Sequence, residues 1–182
     1  MLTLNIEKQK FYDSNEERFF DSKAMTIQLE HSLISISKWE SIWCKPFLPV
    51  KGFVDGISNF EEELSYIECM IVGRVPEHMP LLIYQKHGPE INRYIQHPST
   101  ATTIYRQDQN SRSTKIVTTE LIYYWMVRFQ IPMECEKWHI NRLLMLIDIC
   151  NVKEKQAAGK NSMTPRDAAR YQYELNKARR GV

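Results

Sequence analysis

The residues that could do chemistry are few, and the pair best suited to it is Cys135 and His139. They lie four residues apart in a segment predicted to be helical, so both side chains could face one zinc ion or act as nucleophile and base. A zinc site needs further ligands, and none is close in the sequence. A reactive cysteine needs an accessible, electropositive setting, whereas this neighbourhood is apolar. We therefore interpret the pair as a packed cysteine beside a hydrogen-bonded histidine.

A second group that could do chemistry is a run of carboxylates, which could supply general acids, general bases or metal ligands: Glu61, Glu62, Glu63 and Glu68. The run opens a predicted helix, where carboxylates are favoured by the positive end of the helix dipole. A solvated first turn is therefore the favoured interpretation. The other histidines are isolated in the sequence, and we interpret them as surface or capping residues: His31, His78, His87 and His97.

Glycine is scarce, and its placement bears on nucleotide binding. The six glycines form neither a G-x-x-x-x-G-K-[ST] nor a G-x-G-x-x-G loop, so nucleotide binding by those two devices is excluded. The sequence predicts no catalytic, cofactor-binding or metal-binding residue, and no cofactor.

Composition predicts a globular chain that folds around one sizeable core. Hydrophobic residues make up 43% and charged residues 25% of the 182 residues, as in ordinary soluble domains. The net charge of +2 is uneven, because the chain carries +5 from Lys153 onward and −3 before it. The first residues turn charged too soon for a signal peptide, and no segment has the ~18 uninterrupted apolar residues of a membrane span. The four cysteines are widely spaced and are predicted to be free, mostly buried thiols.

The elements that would position these residues begin with strands. Alternating apolar residues predict strands at 2–6 and 25–29, and aromatic pairs at 11–12 and 19–20 flank a turn-like Asp13-Ser14-Asn15. We expect a β-hairpin with the strand at 25–29 lying against it. A second hairpin is predicted from 100–105 and 115–117, on either side of a polar loop.

Helical spacing and capping signals predict the remaining elements. Ser58 and Glu61 suit a capping box, and Thr118 or Thr119 suits the cap of a later helix. That later helix, 119–129, has almost no polar face, so we expect it at the centre of the fold, paired with the next helix as an antiparallel hairpin. The four tryptophans are predicted to be core anchors. The predicted helices cover 30–45, 59–72, 89–96, 119–129 and 134–150, with a loop at 45–57 and either a helical turn or a strand at 81–84.

The C-terminal region differs in charge and composition from the rest. Residues 153–163 are predicted to form a linker, and Thr164-Pro165-Arg166-Asp167 carries the signals of a helix start. Three interpretations remain open for this helix: a solvated or intramolecular helix, a helix that docks on a protein partner, and a nucleic-acid contact. The candidate partner-binding residues are Arg166, Arg170, Tyr171, Tyr173, Leu175, Lys177, Arg179 and Arg180.

The predicted fold class is α+β and predominantly helical. It comprises an N-terminal β-hairpin or small antiparallel sheet packed on a helical core, followed by a C-terminal basic helix. The predicted boundaries are 1–152 for the globular domain, 153–163 for the linker and 164–182 for the basic helix.

Three stretches of the chain resemble small virion-morphogenesis proteins of tailed bacteriophages, often described as tail assembly chaperones. They are 29–41 (LEHSLISISKWES), 119–126 (TELIYYWM) with 134–144 (ECEKWHINRLL), and 175–180 (LNKARR). The resemblance implies a non-enzymatic protein of the host cytoplasm that holds the aggregation-prone tape-measure protein.

Two alternatives stay open beside that expectation. A structural virion component, such as a head–tail connector or tail protein, would use the basic helix to contact another subunit or DNA and would reside in the virion. A small hydrolase or transferase would use the region around Cys135 and His139. A homo-oligomer is compatible with the first two functions, and no membrane partner is expected.

Overall fold

The computed structural model describes residues 1–13, 17–48, 56–76, 79–102 and 116–157, together with Tyr173. Within these ranges the fold is α+β and mainly helical, which confirms the predicted class. No helix in the described part of the chain has the length and apolarity required to cross a membrane.

Four strands near the N-terminus form a long antiparallel ribbon in two parts. Strand β1 (Leu2–Ile6) pairs with β4 (Met25–Leu29), and β2 (Gln9–Asp13) pairs with β3 (Arg18–Ser22). The two pairs of strands share one antiparallel register, so β2 and β3 continue the ladder that β1 and β4 begin. The predicted hairpin is confirmed as β2 and β3. The strand at 25–29 pairs with β1 instead of lying against the hairpin, because it continues the same ladder.

A third strand completes a small sheet at the base of the ribbon. Strand β5 (Ile71–Val72) pairs with β4, giving the order β1-β4-β5. One face of β1 and β4 is buried and the other exposed, as the alternating sequence predicts. The helix predicted to end near residue 72 therefore ends earlier, because Ile71 has extended backbone and joins the sheet.

Five α-helices and one 3₁₀ helix accompany this sheet in the described part of the chain. The first, α1 (Leu33–Trp43), packs against α2 (Phe60–Met70), α4 (Thr119–Arg128) and the 3₁₀ helix, and its Leu33, Ile36 and Trp39 are fully buried. Trp39 is the core anchor that was predicted, while Trp43, Trp125 and Trp138 are half-buried against the core. The helices are α1 (Leu33–Trp43), α2 (Phe60–Met70), α3 (Met79–Gln96), α4 (Thr119–Arg128), the 3₁₀ helix (Met133–Lys137) and α5 (Ile140–Ala157).

Helix α3 replaces two shorter predicted elements. The sequence predicted a helix starting at Pro89, but the helix already begins at Met79 and passes through this proline. The residue before a proline normally avoids helical backbone because its own Cβ collides with the ring. Gly88 has no Cβ, so this conflict is small and the helix continues.

Helix α5 differs from its prediction at both ends. The segment predicted as helix from 134 begins with the 3₁₀ helix, and α5 starts only at Ile140. It runs on to Ala157, so residues 153–157 of the predicted linker are helical. The ion pair between Arg128 and Glu154 joins the last turns of α4 and α5. An antiparallel hairpin would instead bring the last turn of α4 to the first turn of α5, so that prediction is wrong.

Several predictions fall wholly or partly outside the described residues. The second hairpin involves residues 103–115, and most of the predicted loop at 45–57 is also outside. The same holds for residues 158–163 of the linker and for the basic helix apart from Tyr173.

Candidate functional site

Cys135 and His139 do not share a helix. Cys135 lies buried in the 3₁₀ helix, whereas His139 stands just before α5, with the extended residue Trp138 between the two elements. Burial, with a further contribution from the Glu134 carboxylate, raises the pKa of the Cys135 thiol. A raised pKa keeps the thiol protonated at neutral pH, and the thiol is a poor nucleophile. The prediction of a packed cysteine and a hydrogen-bonded histidine is confirmed.

His139 caps the N-terminus of α5 with its ring. Its Nδ1 accepts the backbone N–H of Asn141 at 3.3 Å, and its carbonyl accepts from Arg142 and Leu143. On the other side of the ring, Nε2 lies 3.0 Å from the carbonyl oxygen of Tyr94. Because that carbonyl only accepts, Nε2 carries the proton and Nδ1 keeps its lone pair. A neutral imidazole satisfies both contacts.

His31 was predicted to be a surface or capping residue, and this prediction is wrong. It lies between β4 and α1 with only 3% of its surface exposed. Its Nδ1 shares a hydrogen bond with the Tyr66 hydroxyl of α2, and its backbone N–H donates to the Tyr94 hydroxyl of α3. Its carbonyl accepts the N–H of Ile140, and its ring centroid lies 4.9 Å from that of His139.

These contacts define a histidine cluster, which consists of His31, Tyr66, Tyr94 and His139. Burial, and then the charge of His139, lowers the pKa of His31 to about 3. Burial also lowers the pKa of His139 and raises the pKa of both tyrosines. All four side chains are therefore neutral at pH 7.

The histidine cluster is arranged to join elements. Three of the four imidazole nitrogens in the cluster form hydrogen bonds with protein groups. They are both nitrogens of His139 and Nδ1 of His31. Its members come from the β4–α1 connection, α2, α3 and the start of α5, so their hydrogen bonds hold four parts of the fold together. Among the described residues, no group of three or more histidine, cysteine or acidic side chains is placed to hold a metal ion.

The remaining histidines follow the predictions where they are described. His87 lies beside Glu90, and His97 is exposed and bonds to Ser99. His78 lies outside the described residues. The four cysteines are free thiols, with Cys69 and Cys135 buried, Cys150 half-buried and Cys44 exposed.

The carboxylate run contains one buried member, which the sequence did not distinguish. Glu62 accepts hydrogen bonds from Lys45 at 2.6 Å and from the backbone N–H of Ser58 at 2.8 Å. Lys45 and these bonds lower the pKa of Glu62 to about 2. The true cap is Asn59, which accepts from the Glu62 N–H, so the capping box is shifted by one residue. Glu61 and Glu68 are exposed, as predicted for the run, and Glu63 is half-buried.

Glu40 is a second buried carboxylate and was not singled out in the sequence. Its Oε2 accepts from the Thr119 backbone N–H at 2.8 Å and from the Thr119 hydroxyl. Its Oε1 accepts from the Phe47 N–H at 2.9 Å. The N-terminus of α4 is thus capped from α1, whereas the sequence predicted a threonine side chain in that role. Glu40 and Thr119 are 79 residues apart, so no local pattern could have revealed the pair.

Helix α4 has an exposed apolar face, which contradicts its predicted central position. Ile122 and Met126 are buried, but Tyr124 and Val127 are 57% and 69% exposed. These two residues, together with Glu120 and Arg128, form the outer face of α4. The helix is apolar on nearly all sides, yet the described part of the chain packs against only one of them.

The end of the ribbon carries a second exposed apolar group. Tyr12 and Phe19 face each other across β2 and β3, and their ring centroids lie 5.1 Å apart. They are 49% and 73% exposed, although aromatic side chains gain most when they are buried. We call this pair the ribbon tip.

Two cavities of the described chain are small. One of about 210 Å³ lies between α2 and α3 and is lined mainly by apolar and aromatic side chains such as Ile67, Tyr84 and Ile91. Another of about 230 Å³ lies where α1 meets β5. Both fall below the ~300–1,000 Å³ typical of small-molecule sites. The exposed apolar surfaces are therefore the stronger candidates for binding.

The predicted partner-binding residues of the basic helix are described at one position only. Tyr173 has an exposed side chain. The others lie outside the described residues: Arg166, Arg170, Tyr171, Leu175, Lys177, Arg179 and Arg180.

No protein-family model, curated protein or solved structure matches this chain.

Proposed function

We propose that this protein works by binding another protein, as a tail assembly chaperone that holds the tape-measure protein during phage tail assembly. The observation that carries the proposal is the ribbon tip, where two large aromatic side chains are paired and left in solvent. Contiguous exposed apolar groups on soluble proteins commonly mark interaction surfaces.

The chemistry of the ribbon tip suits the expected partner. A tape-measure protein has long apolar helices that stay uncovered until tube subunits surround them, so a chaperone must offer apolar contacts that are later released. Tyr12 and Phe19 offer such contacts with few rotatable bonds, which keeps the entropy cost of binding low. The sequence resemblance to tail assembly chaperones supports the same partner.

The histidine cluster has a different part in this proposal. Its imidazoles are held in fixed positions by backbone and tyrosine groups, and they join the base of the ribbon to α2, α3 and α5. We assign it the role of keeping the framework rigid while the exposed surfaces make the contacts.

Co-expression with the tape-measure protein encoded in the same phage genome tests the proposal. We expect the intact chain to raise the soluble fraction of the tape-measure protein several-fold. The double variant Tyr12→Ser/Phe19→Ser should lose most of that gain while keeping its own fold by circular dichroism. Ile42→Ser is the matched control, because Ile42 is an apolar residue on α1 whose exposure lies between those of Tyr12 and Phe19.

Two outcomes would contradict the proposal. The first is an unchanged soluble fraction of the tape-measure protein in the presence of the intact chain. The second is recovery of the chain at fixed stoichiometry from purified virions, which would favour the alternative of a structural connector or tail component.

A further inference from the structure

The outer face of α4 combines exposed apolar residues with two opposite charges at regular spacing. Glu120, Tyr124 and Arg128 follow one another at intervals of four residues, so they lie along one side of the helix. Val127 adds the most exposed apolar side chain of this helix.

We infer that the outer face of α4 binds the same face of a second copy of this chain, in an antiparallel pair about a two-fold axis at Tyr124. This interface goes beyond the proposed chaperone function and does not depend on it.

The spacing of the residues makes the face complementary to its own inverted copy. In an antiparallel pair centred on Tyr124, each residue faces the one equally far on the other side of that tyrosine. Glu120 of one copy therefore meets Arg128 of the other, and this contact occurs twice. The two Tyr124 rings meet on the axis, with Val127 beside them. Opposite charges are thus matched at both ends of the contact, around an apolar centre.

Arg128 is already held in position for such a contact. Its Nη2 donates to both carboxylate oxygens of Glu154, at 2.8 and 2.9 Å. A guanidinium has five N–H donors, so further donors remain for a second carboxylate. The ion pair with Glu154 restricts the arginine side chain, which lowers the entropy cost of a new contact.

The size of α4 sets the expected strength. A helix of ten residues is about 15 Å long, so a single helix pair buries less than the ~1,200–2,000 Å² of a standard stable interface. We expect a reversible dimer with a dissociation constant on the order of micromolar.

Charge reversal gives the sharpest test. The measurement is sedimentation velocity of the full chain at concentrations from about 1 to 200 μM, which span the expected dissociation constant. Glu120→Arg places two positive charges opposite each other in the dimer. Arg128→Glu combined with Glu154→Arg keeps the ion pair within one copy but places two negative charges opposite each other. Each variant alone should stay monomeric where the intact chain dimerises. A mixture of the two should form a heterodimer, because both contacts again join opposite charges.

Replacing an apolar residue of the outer face gives an independent measurement. Val127→Ser should weaken the dimer on the order of a hundredfold, because the substitution removes a buried valine from each of the two copies and each valine accounts for about tenfold, while Ile42→Ser on α1 should leave it unchanged. Circular dichroism confirms that each variant is folded.

Three results would overturn the inference. They are a monomeric intact chain at every concentration, charge variants that dimerise like the intact chain, and a mixture that fails to form the heterodimer. If the intact chain is monomeric and Tyr124→Ser weakens tape-measure binding instead, the outer face belongs to that partner and the dimer is refuted.

Discussion

The histidine cluster and the outer face of α4 use side chains in opposite ways. In the cluster, the polar rings of His31 and Tyr66 are buried, and hydrogen bonds between its members reach groups 35 to 63 residues away in the sequence. On α4, an aromatic ring and a valine of a strongly apolar segment stay in solvent. Neither outcome follows from residue type alone. Partners that are distant in the sequence decide whether a group is buried.

This contrast separates stability from association. Breaking a contact in the histidine cluster or at Glu40 leaves a buried polar group without a partner, which costs free energy of folding. Changing Tyr124 or Val127, the exposed apolar residues on the outer face of α4, leaves no buried polar group without a partner, so the effect should appear in binding.

The largest effect on the buried polar contacts is expected from acid. The pKa of His31 falls from its ordinary 6.5 to about 3 in the fold, so the unfolded chain binds a proton that the folded protein excludes. Stability is therefore full above pH 6.5 and is lost as the pH falls towards 3, by roughly 3 kcal/mol at pH 4. The lowered pKa of His139 acts in the same direction. Urea unfolding measured between pH 7 and pH 4 gives this dependence.

A variant isolates the histidine contribution from that of the carboxylates. His31→Asn removes the titrating group, so its free energy of unfolding should change less between pH 7 and pH 4 than that of the intact chain. Equal slopes for the two proteins would show that His31 is accessible to protons in the fold.

The next effect concerns the buried carboxylate on α1. Glu40→Gln places an amide nitrogen where an oxygen now accepts from Thr119 or Phe47, so one buried donor loses its acceptor. We expect a loss of about 2 kcal/mol in the free energy of unfolding. Glu61→Gln, at an exposed position of α2, is the control and should change stability by less than about 0.5 kcal/mol. Equal effects of the two variants would contradict the assigned role of Glu40.

The capping role of His139 predicts smaller losses of stability, which differ between two variants of this residue. His139→Ala removes both the cap on Asn141 and the contact with Tyr94, and should cost about 1.5 kcal/mol. His139→Asn should cost less, because asparagine is a good N-cap and replaces one of the two contacts. Urea unfolding at pH 7 compares them. A variant pair with the same stability would show that the cap contributes nothing.

Local signals were sufficient for much of the fold. The alternation of Leu2, Leu4 and Ile6 predicted a strand with one buried face, and the spacing of Ile36 and Trp39 predicted the buried side of α1. Both features depend on neighbours within one element, which a sequence displays directly. The same holds for the fold class.

Long-range contacts could not be predicted in the same way. His31 meets Tyr66 and His139, and Glu40 meets Thr119, across separations that no periodic pattern records. Helix α4 was placed in the core because its composition is apolar, but composition does not tell how many sides find a partner. Of the candidate surfaces, the sequence named Tyr173 and the basic helix, whereas the ribbon tip and the outer face of α4 emerged from the structure.

The smallest effect on stability is expected at the outer face of α4, and it completes the comparison. Val127→Ser should change the free energy of unfolding by less than about 0.5 kcal/mol, because the side chain is already in solvent. Met126→Ala, one residue away on the buried side, should cost about 2–5 kcal/mol through the lost packing and the cavity it leaves. Urea unfolding at a concentration where the chain is monomeric measures both. A large loss for Val127→Ser under those conditions would mean that this face is buried within one copy of the chain, and the division between stability and association would not hold for α4.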